Sequence, residues 1–281
     1  MEPFFSVIVV CLNPGERLKS TLESIERQTF RDFQVIVKDG GSRDGAPETA
    51  GTFSERWKKE GGLRSLEVIT QEDCGIYDAM NQAAAAAEGR YVYFLNCGDC
   101  FSSGQVLEEM AAFIRREQEQ RPGIYYGDIY ERLTGQRVCS NPRMDAFGCY
   151  RNVPCHQACF YARELLLAHP FHRGYQVRAD YEQFLWCFFA SPYKGGVKFA
   201  YSSVLIADYE GGGFSESREN RELSAREHKE ITGKYMSRGE LFRFRLAMAL
   251  TLSGLRTKLA ENGKTAGVYN RVKEMLYRRR K

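Results

Sequence analysis

A chain of 281 residues, 43% hydrophobic and 27% charged, has enough apolar side chains for a core, which excludes a wholly disordered chain. Its formal net charge of +4 is too small to argue for nucleic acid, and no segment is long and apolar enough to cross a bilayer. The nine cysteines are scattered without zinc spacing and read as reduced thiols of a cytoplasmic protein.

The chain opens on "FFSVIVVCLN", whose β-branched run Phe5–Cys11 predicts a buried strand. Pro14 then opens a helical pattern through Leu18, Leu22 and Ile25. A second strand, Phe33–Lys38, runs into the turn-rich "DGGSRDG", followed by a helix from about Pro47 to Lys59. Leu66–Thr70 is a third strand. Ile76–Glu88 is a helix rich in alanine, with Gly89 placed as its stop, and Tyr91–Leu95 is a fourth strand. Such alternation predicts an α/β fold, a mostly parallel sheet flanked by helices. Ligands of these sheets bind beyond the carboxyl ends of the strands. Asn13, Asp39-Gly40-Gly41, Glu72-Asp73 and Asn96 to Asp99 all stand there.

The second half is more mixed. Gly123–Glu131 is a strand that pairs with a short one near Gln136–Cys139. "HQACFYARELL" is a strand leading into a helix, "RADYEQFLWCFFA" a helix and "VKFAYSSVLIADY" a strand. From about residue 215 the pattern is helical to the end, which divides the chain into a core of residues 1–214 and a helical extension, 215–281. In that extension Leu241, Met248, Leu252 and Leu255 share one helical stripe with Phe244 at its edge, and Arg278–Lys281 close the chain with basic residues. The stripe packs on the core or on a second copy, or it lies on an anionic membrane surface.

Taken singly, the polar residues have plain structural readings. Asp99 can cap the helix after it, in rivalry with Ser102 and Ser103; Asp39 can close an Asx turn; Asp44 can cap the next helix; Asp180 can be a first-turn helix acid. Cys97 and Cys100 form a C-x-x-C, a weak redox signal with Asp99 between the thiols.

Together, "FSVIVVCLNPGERLKSTLESIERQTFRDFQVIVKDGGSRDG" and "EDCGIYDAMNQAAAAAEGRYVYFLNCGDC" resemble the inverting nucleotide-sugar glycosyltransferases of family 2, which have the GT-A fold. The likeness is close over residues 1–100 and looser through "YYGDIY", "HQACFYARELL", "ADYEQFL" and "GGGFS". It implies a nucleotide-sugar half, 1–100, and an acceptor half, 101–214. It places Asn13, Asp39, Asp73, Asp78 and Asn81 around the donor, with UDP as the expected nucleotide, and makes Asp99 the metal-binding acid for Mn or Mg. Asn96-Cys97-Gly98-Asp99 keeps only the last acid of the family's D-x-D. Asp180 matches the family's base, with Glu182 as its neighbouring rival, and His156 and Asp128 fall on the acceptor or phosphate side. "GGGFS" reads as a loop able to approach a diphosphate. The implied activity is inverting, metal-dependent, non-processive transfer of a hexose to a glycan or lipid-linked acceptor. The rival readings are a catalytically silent nucleotide-sugar-binding protein and a sugar nucleotidyltransferase.

Overall fold

A computed structural model describes residues 2–61, 65–211 and 218–250. The first strand, β1 (Phe5–Cys11), is buried along nearly its whole length, as a run of Val and Ile must be when helices cover both faces of a sheet. It is followed by α1 (Arg17–Glu26), β2 (Phe33–Asp39), α2 (Ala46–Glu60), β3 (Ser65–Thr70), α3 (Ile76–Ala86) and β4 (Tyr91–Phe94). These four strands pair in parallel in the order β3-β2-β1-β4. The edge strand β3 is the exposed one, and its side chains alternate accordingly.

The rest of the sheet is mixed. After β5 (Cys100–Phe101) and α4 (Val106–Glu117) come β6 (Gly123–Glu131), β7 (Gln136–Val138) and α5 (Ala146–Arg151). A short turn, His156–Ala158, leads into β8 (Cys159–Ala162), α6 (Arg163–Ala168), α7 (Ala179–Phe189) and β9 (Lys198–Tyr209). β8 pairs antiparallel with β4 and β6, β6 runs parallel to β9, and β5 closes the edge against β9. The expected hairpin partner of β6 is β7. The sheet is thus parallel where strand and helix alternate, and mixed where hairpins replace crossovers.

Three helix ends differ from the sequence reading: α1 starts at Arg17, not at Pro14. The alanine-rich helix stops at Ala86, not Glu88, and Gly89 has a packing role: a Cβ there would stand 2.5 Å from the Phe5 carbonyl carbon and the Ser6 nitrogen. The α4 helix starts at Val106 behind Gln105, and its first turn is capped by Gln28, whose Oε1 accepts from the Leu107 amide at 3.1 Å, not by Asp99, Ser102 or Ser103.

The helical extension begins with α8 (Arg218–Tyr235) and α9 (Arg238–Leu250). Ile231 and Met236 are buried, and Leu241 and Phe244 pack on the core, Phe244 against the rings of Phe147 and Tyr150 at 5.5 and 5.4 Å. Leu241 and Phe244 therefore face inward, and the outward apolar residues are Phe242, Leu246 and Leu250, spaced four apart. Leu252, Leu255, the basic residues Arg278–Lys281, nearly all of "GGGFS" and the boundary near residue 215 lie outside the described residues.

Candidate active site

The ends of β1 and β2 are tied to each other by side chains that accept from backbone. The Asp39 carboxylate, fully buried, accepts from the Gly41 and Ser42 amides at 3.0 Å. Asn13, at a φ of +48°, accepts from the Arg43 amide at 2.9 Å, and its own N–H donates to Ser42 Oγ at 2.7 Å. Asp44 accepts from the Gly15 amide at 2.6 Å and from Ala46, the first residue of α2, at 3.3 Å. Three polar side chains thus fix two loops before any ligand arrives.

Beneath these loops Lys38 is fully buried, a costly place for an ammonium unless it is paired. It donates to the Asp39 and Gln71 carbonyls and to Asp73, whose carboxylate lies 2.9 Å away. Asp73 in turn accepts from the Gly75 amide at 3.1 Å. Asp78, in the first turn of α3, accepts from the Cys74 amide at 2.9 Å and pairs with Arg173 at 3.2 Å. The Cys74 N–H, helped by Arg173, holds the Asp78 carboxyl below its usual range. Asn81 has both ends of its amide engaged by the Phe171 backbone, donating at 2.8 Å and accepting at 2.9 Å. That clamp joins α3 to the segment before α7; it leaves Asn81 a positioning residue in this arrangement.

The turn after β4 is shaped by Gly98, whose φ of +102° excludes most side chains. Thr21 holds it, accepting from the Gly98 amide and donating to the Asp99 carbonyl, and Arg132 donates to the Gly98 carbonyl. Asp99 itself is 3% exposed. One carboxylate oxygen accepts from the Glu210 amide at 2.9 Å and the other from Gln157 Nε2 at 3.1 Å. Burial pushes its carboxyl above the usual range, and those bonds only partly oppose the shift. Each oxygen retains a free lone pair. The Asn96 Oδ1 nearby is buried without a partner among the described residues. A buried, under-compensated carboxylate, with an orphaned oxygen three residues before it in the same turn, suits a cation whose other positions come from a ligand. Among the described residues no three His, Cys, Asp or Glu side chains form a metal cage unaided. Burial also pushes the Cys97 thiol up to about 12, so the C-x-x-C lacks the thiolate that redox exchange needs.

From Asn96 a chain of hydrogen bonds leads away from the sheet. Its amide nitrogen lies 3.0 Å from His156 Nε2, which leaves Nδ1–H to donate to Asp180 at 3.1 Å. Asp180 is the second residue of α7, and it also accepts from the Tyr181 amide at 2.9 Å and faces the Tyr77 hydroxyl at 3.0 Å. Burial alone would raise its carboxyl, but these donors, His156 foremost, hold it below the usual range, so it is ionised at neutral pH. Glu182, two positions on, points elsewhere: fully buried, it receives His169 at 2.9 Å, Lys234 at 2.6 Å and the Tyr235 hydroxyl. Against the pull of burial, those bonds hold it down at about 2. Glu182 joins α7 to α8.

The segment before Asp180 is held by α8 as well. Glu227, buried at 4% exposure, accepts from the amides of Gln176, Val177 and Arg178 at 2.8 to 3.1 Å. His228 stacks on Tyr181, ring centres 5.2 Å apart, and meets the Tyr150 carbonyl at 2.8 Å. Beside this segment opens a cavity of about 430 Å³ whose wall includes Ser140, Asn141, Arg151, Arg178 and Asp180. Asp128 is not on that wall. It is buried against Arg137 at 2.8 Å, the Ser140 amide at 2.9 Å and the Tyr201 hydroxyl at 3.1 Å, so it ties β6 to β7 and to the segment after it, part of which lines the cavity. Sequence reasoning missed Lys38, Gln157, Glu210 and Glu227. Only Lys38 left a signal, a charge near the end of a largely apolar strand.

The donor-like strand ends and the carboxylate-bearing cleft are those of a GT-A fold. Two solved structures share it: the S. aureus TarS fragment 1–349 in complex with UDP-GlcNAc, and the mannosyltransferase PcManGT from Pyrobaculum calidifontis with GDP-Man and Mn2+. Both are 18% identical; TM-scores are 0.60 and 0.61 over 82% and 83% of this chain and 66% and 64% of theirs. The model of "Glycosyl transferase family 2" matches residues 6–169. A "PGL/p-HBAD biosynthesis glycosyltransferase" of Mycobacterium bovis is 33% identical over 226 residues, 80% of this chain and 84% of its own. The chain belongs to glycosyl transferase family 2 and is a transferase enzyme, which sets the nucleotidyltransferase and silent-binder readings aside.

Proposed function

We propose that this enzyme transfers a hexose from a nucleotide diphosphate sugar, UDP-linked, to a hydroxyl of a glycan or lipid-linked acceptor, with inversion and one sugar per encounter. The observation that carries the reading is the double position of Asp180. It lies on the wall of the cavity and, through His156 and Asn96, is joined to the strand end that holds Asp99. A donor at the strand ends and an acceptor in the cavity would meet at one ionised carboxylate. Asp180 takes the proton of the acceptor hydroxyl as its oxygen attacks the anomeric carbon, and the bond to the diphosphate breaks on the opposite face. His156 and Tyr77 keep the carboxylate aimed. Asn13, Asp39, Asp73 and Asp78 shape the donor side mainly by fixing its loops, and Asn81 by clamping Phe171.

Asp99, in the same turn as the unpartnered Asn96 Oδ1, is where a divalent cation, Mn or Mg, would be held. When bound, that ion supplies neutralisation of charge on the departing diphosphate. The PcManGT complex with Mn2+ supports a divalent metal in this fold. The test is a donor screen by nucleotide release with Mg or Mn, followed by Asp180→Asn. The variant should lose about 10³-fold in transfer while binding UDP as the wild type does. A variant that loses UDP affinity instead places Asp180 on the nucleotide side and overturns the assignment.

A peripheral contact with the inner face of the cell membrane belongs to the same reading. No helix among the described residues is long and apolar enough to cross a membrane. Phe242, Leu246 and Leu250 form an exposed stripe flanked by the exposed Arg243 and Arg245, a pattern suited to an anionic interface. Flotation with anionic vesicles at low salt should carry the wild type and leave Phe242→Ser/Leu246→Ser/Leu250→Ser in the soluble fraction. Equal behaviour removes the membrane and favours a second copy of the chain on that face.

A further inference from the structure

We infer that the cavity beside Asp180 selects an acceptor bearing an oxyanion, a phosphate or a carboxylate, close to its attacking hydroxyl. The inference rests on the acceptor-side reading of Asp180 above and adds a substrate class to it. The wall includes two arginines, Arg151 and Arg178, and one acid, Asp180. Much of the remainder is apolar, from Ile129, Val138, Val153 and Pro154. Beside such a wall the half-buried Arg178 is less screened than a charge on open surface. The pocket therefore holds one net positive charge while Asp180 is ionised and two once Asp180 has taken the proton.

Arg178 is prepared for an anion. Its Nε donates to the Ser224 carbonyl at 2.9 Å and to Ser224 Oγ at 2.8 Å, which fixes the plane of the fork. The guanidinium also lies 5.4 Å from the centre of the Tyr181 ring. The neighbouring acid that could neutralise it, Glu227, is turned instead to the backbone amides of Gln176, Val177 and Arg178. Arg151, the last residue of α5, faces the same cavity with its guanidinium over Phe147 at 5.9 Å. Neither arginine has a carboxylate partner among the described residues. A neutral sugar needs neither cation. An oxyanion would receive charge-assisted bonds from both, and the fixed fork of Arg178 suits two oxygens of one phosphate or carboxylate.

The test uses the whole chain with UDP present and three probes that share one ring configuration and one tail and differ at C6: octyl glucoside, octyl glucuronide and octyl glucoside 6-phosphate. Calorimetry should find at least one charged probe bound about tenfold or more tighter than the neutral one. The stronger of the two charged probes tells carboxylate from phosphate. Arg178→Gln and Arg151→Gln should each bring the charged probes down toward the affinity of octyl glucoside. Arg151 is exposed, so its variant stays informative if Arg178→Gln melts early. Equal affinity for all three probes, no binding of either charged probe, or a preference that survives both substitutions would overturn the inference. Titrating UDP into the same samples separates the two readings. UDP binding without charge preference sinks this inference alone, and failure to bind UDP sinks the transferase site on which it rests.

Discussion

The loops at the ends of β1 and β2 and the segment from Gln176 to Asp180 are both fixed by carboxylates that accept from backbone amides, yet the carboxylates come from different distances. Asp39 serves Gly41 and Ser42, two and three residues away, and Asp44 serves Gly15 across a neighbouring loop. Glu227 serves Gln176, Val177 and Arg178 from about 50 residues further along the chain. The first region is wired largely within a local fold unit. The second depends on α8 being docked. A site built this way has one side that is preformed and one whose accuracy is set by a remote helix, and damage to the two should read out differently.

The largest expected effect lies at the turn after β4, which Thr21, Gln157 and the Glu210 amide hold without α8. Asp99→Ala, and EDTA acting on the wild type, should each lower donor hydrolysis by about a hundredfold or more. Full activity in EDTA would remove the cation from the account and leave Asp99 as a turn residue held by Glu210 and Gln157. A second effect, on stability, belongs to the docked side. Glu182, held at about 2 against an ordinary value of 4.5, is depressed in the folded state. Its contribution is therefore complete above pH 4.5 and lost as pH falls toward 2. The interval between those two values corresponds to a loss of about 3 kcal/mol. Urea unfolding of the wild type between about pH 5 and 2 should show that extra loss relative to Glu182→Gln. Parallel curves for the two proteins would mean that the bonds from His169, Lys234 and Tyr235 do not hold the carboxylate down.

The same difference in distance explains what could be read from the sequence. The buried runs of β1 and β2, the β6–β7 hairpin and α7 are legible because periodicity and turn residues are local. Asp99, Asp180 and His156 came from a resemblance to a family, and the structure brings Asp180 and His156 together and sets Asn96 between them and Asp99. Choosing Asp180 over Glu182 was beyond local pattern: two residues apart on a helix face nearly opposite ways, and only the partners tell which faces the cavity. The clamp that Asn81 makes was not legible, because its partner, the Phe171 backbone, lies 90 residues on. Asp128 looked cleft-facing because nothing in "YGD" announces Arg137 and Tyr201. Glu227 sat in a helix with no motif at all.

The most direct measurement of the central claim is made on Glu227→Ala, comparing UDP affinity by calorimetry with the rate of the transfer step in single turnover. The account predicts a UDP dissociation constant within about twofold of wild type and a transfer step slowed by about tenfold or more, because Asp180 loses its setting while the donor loops keep theirs. A matching loss of UDP affinity, or a transfer step unchanged by the substitution, would contradict it.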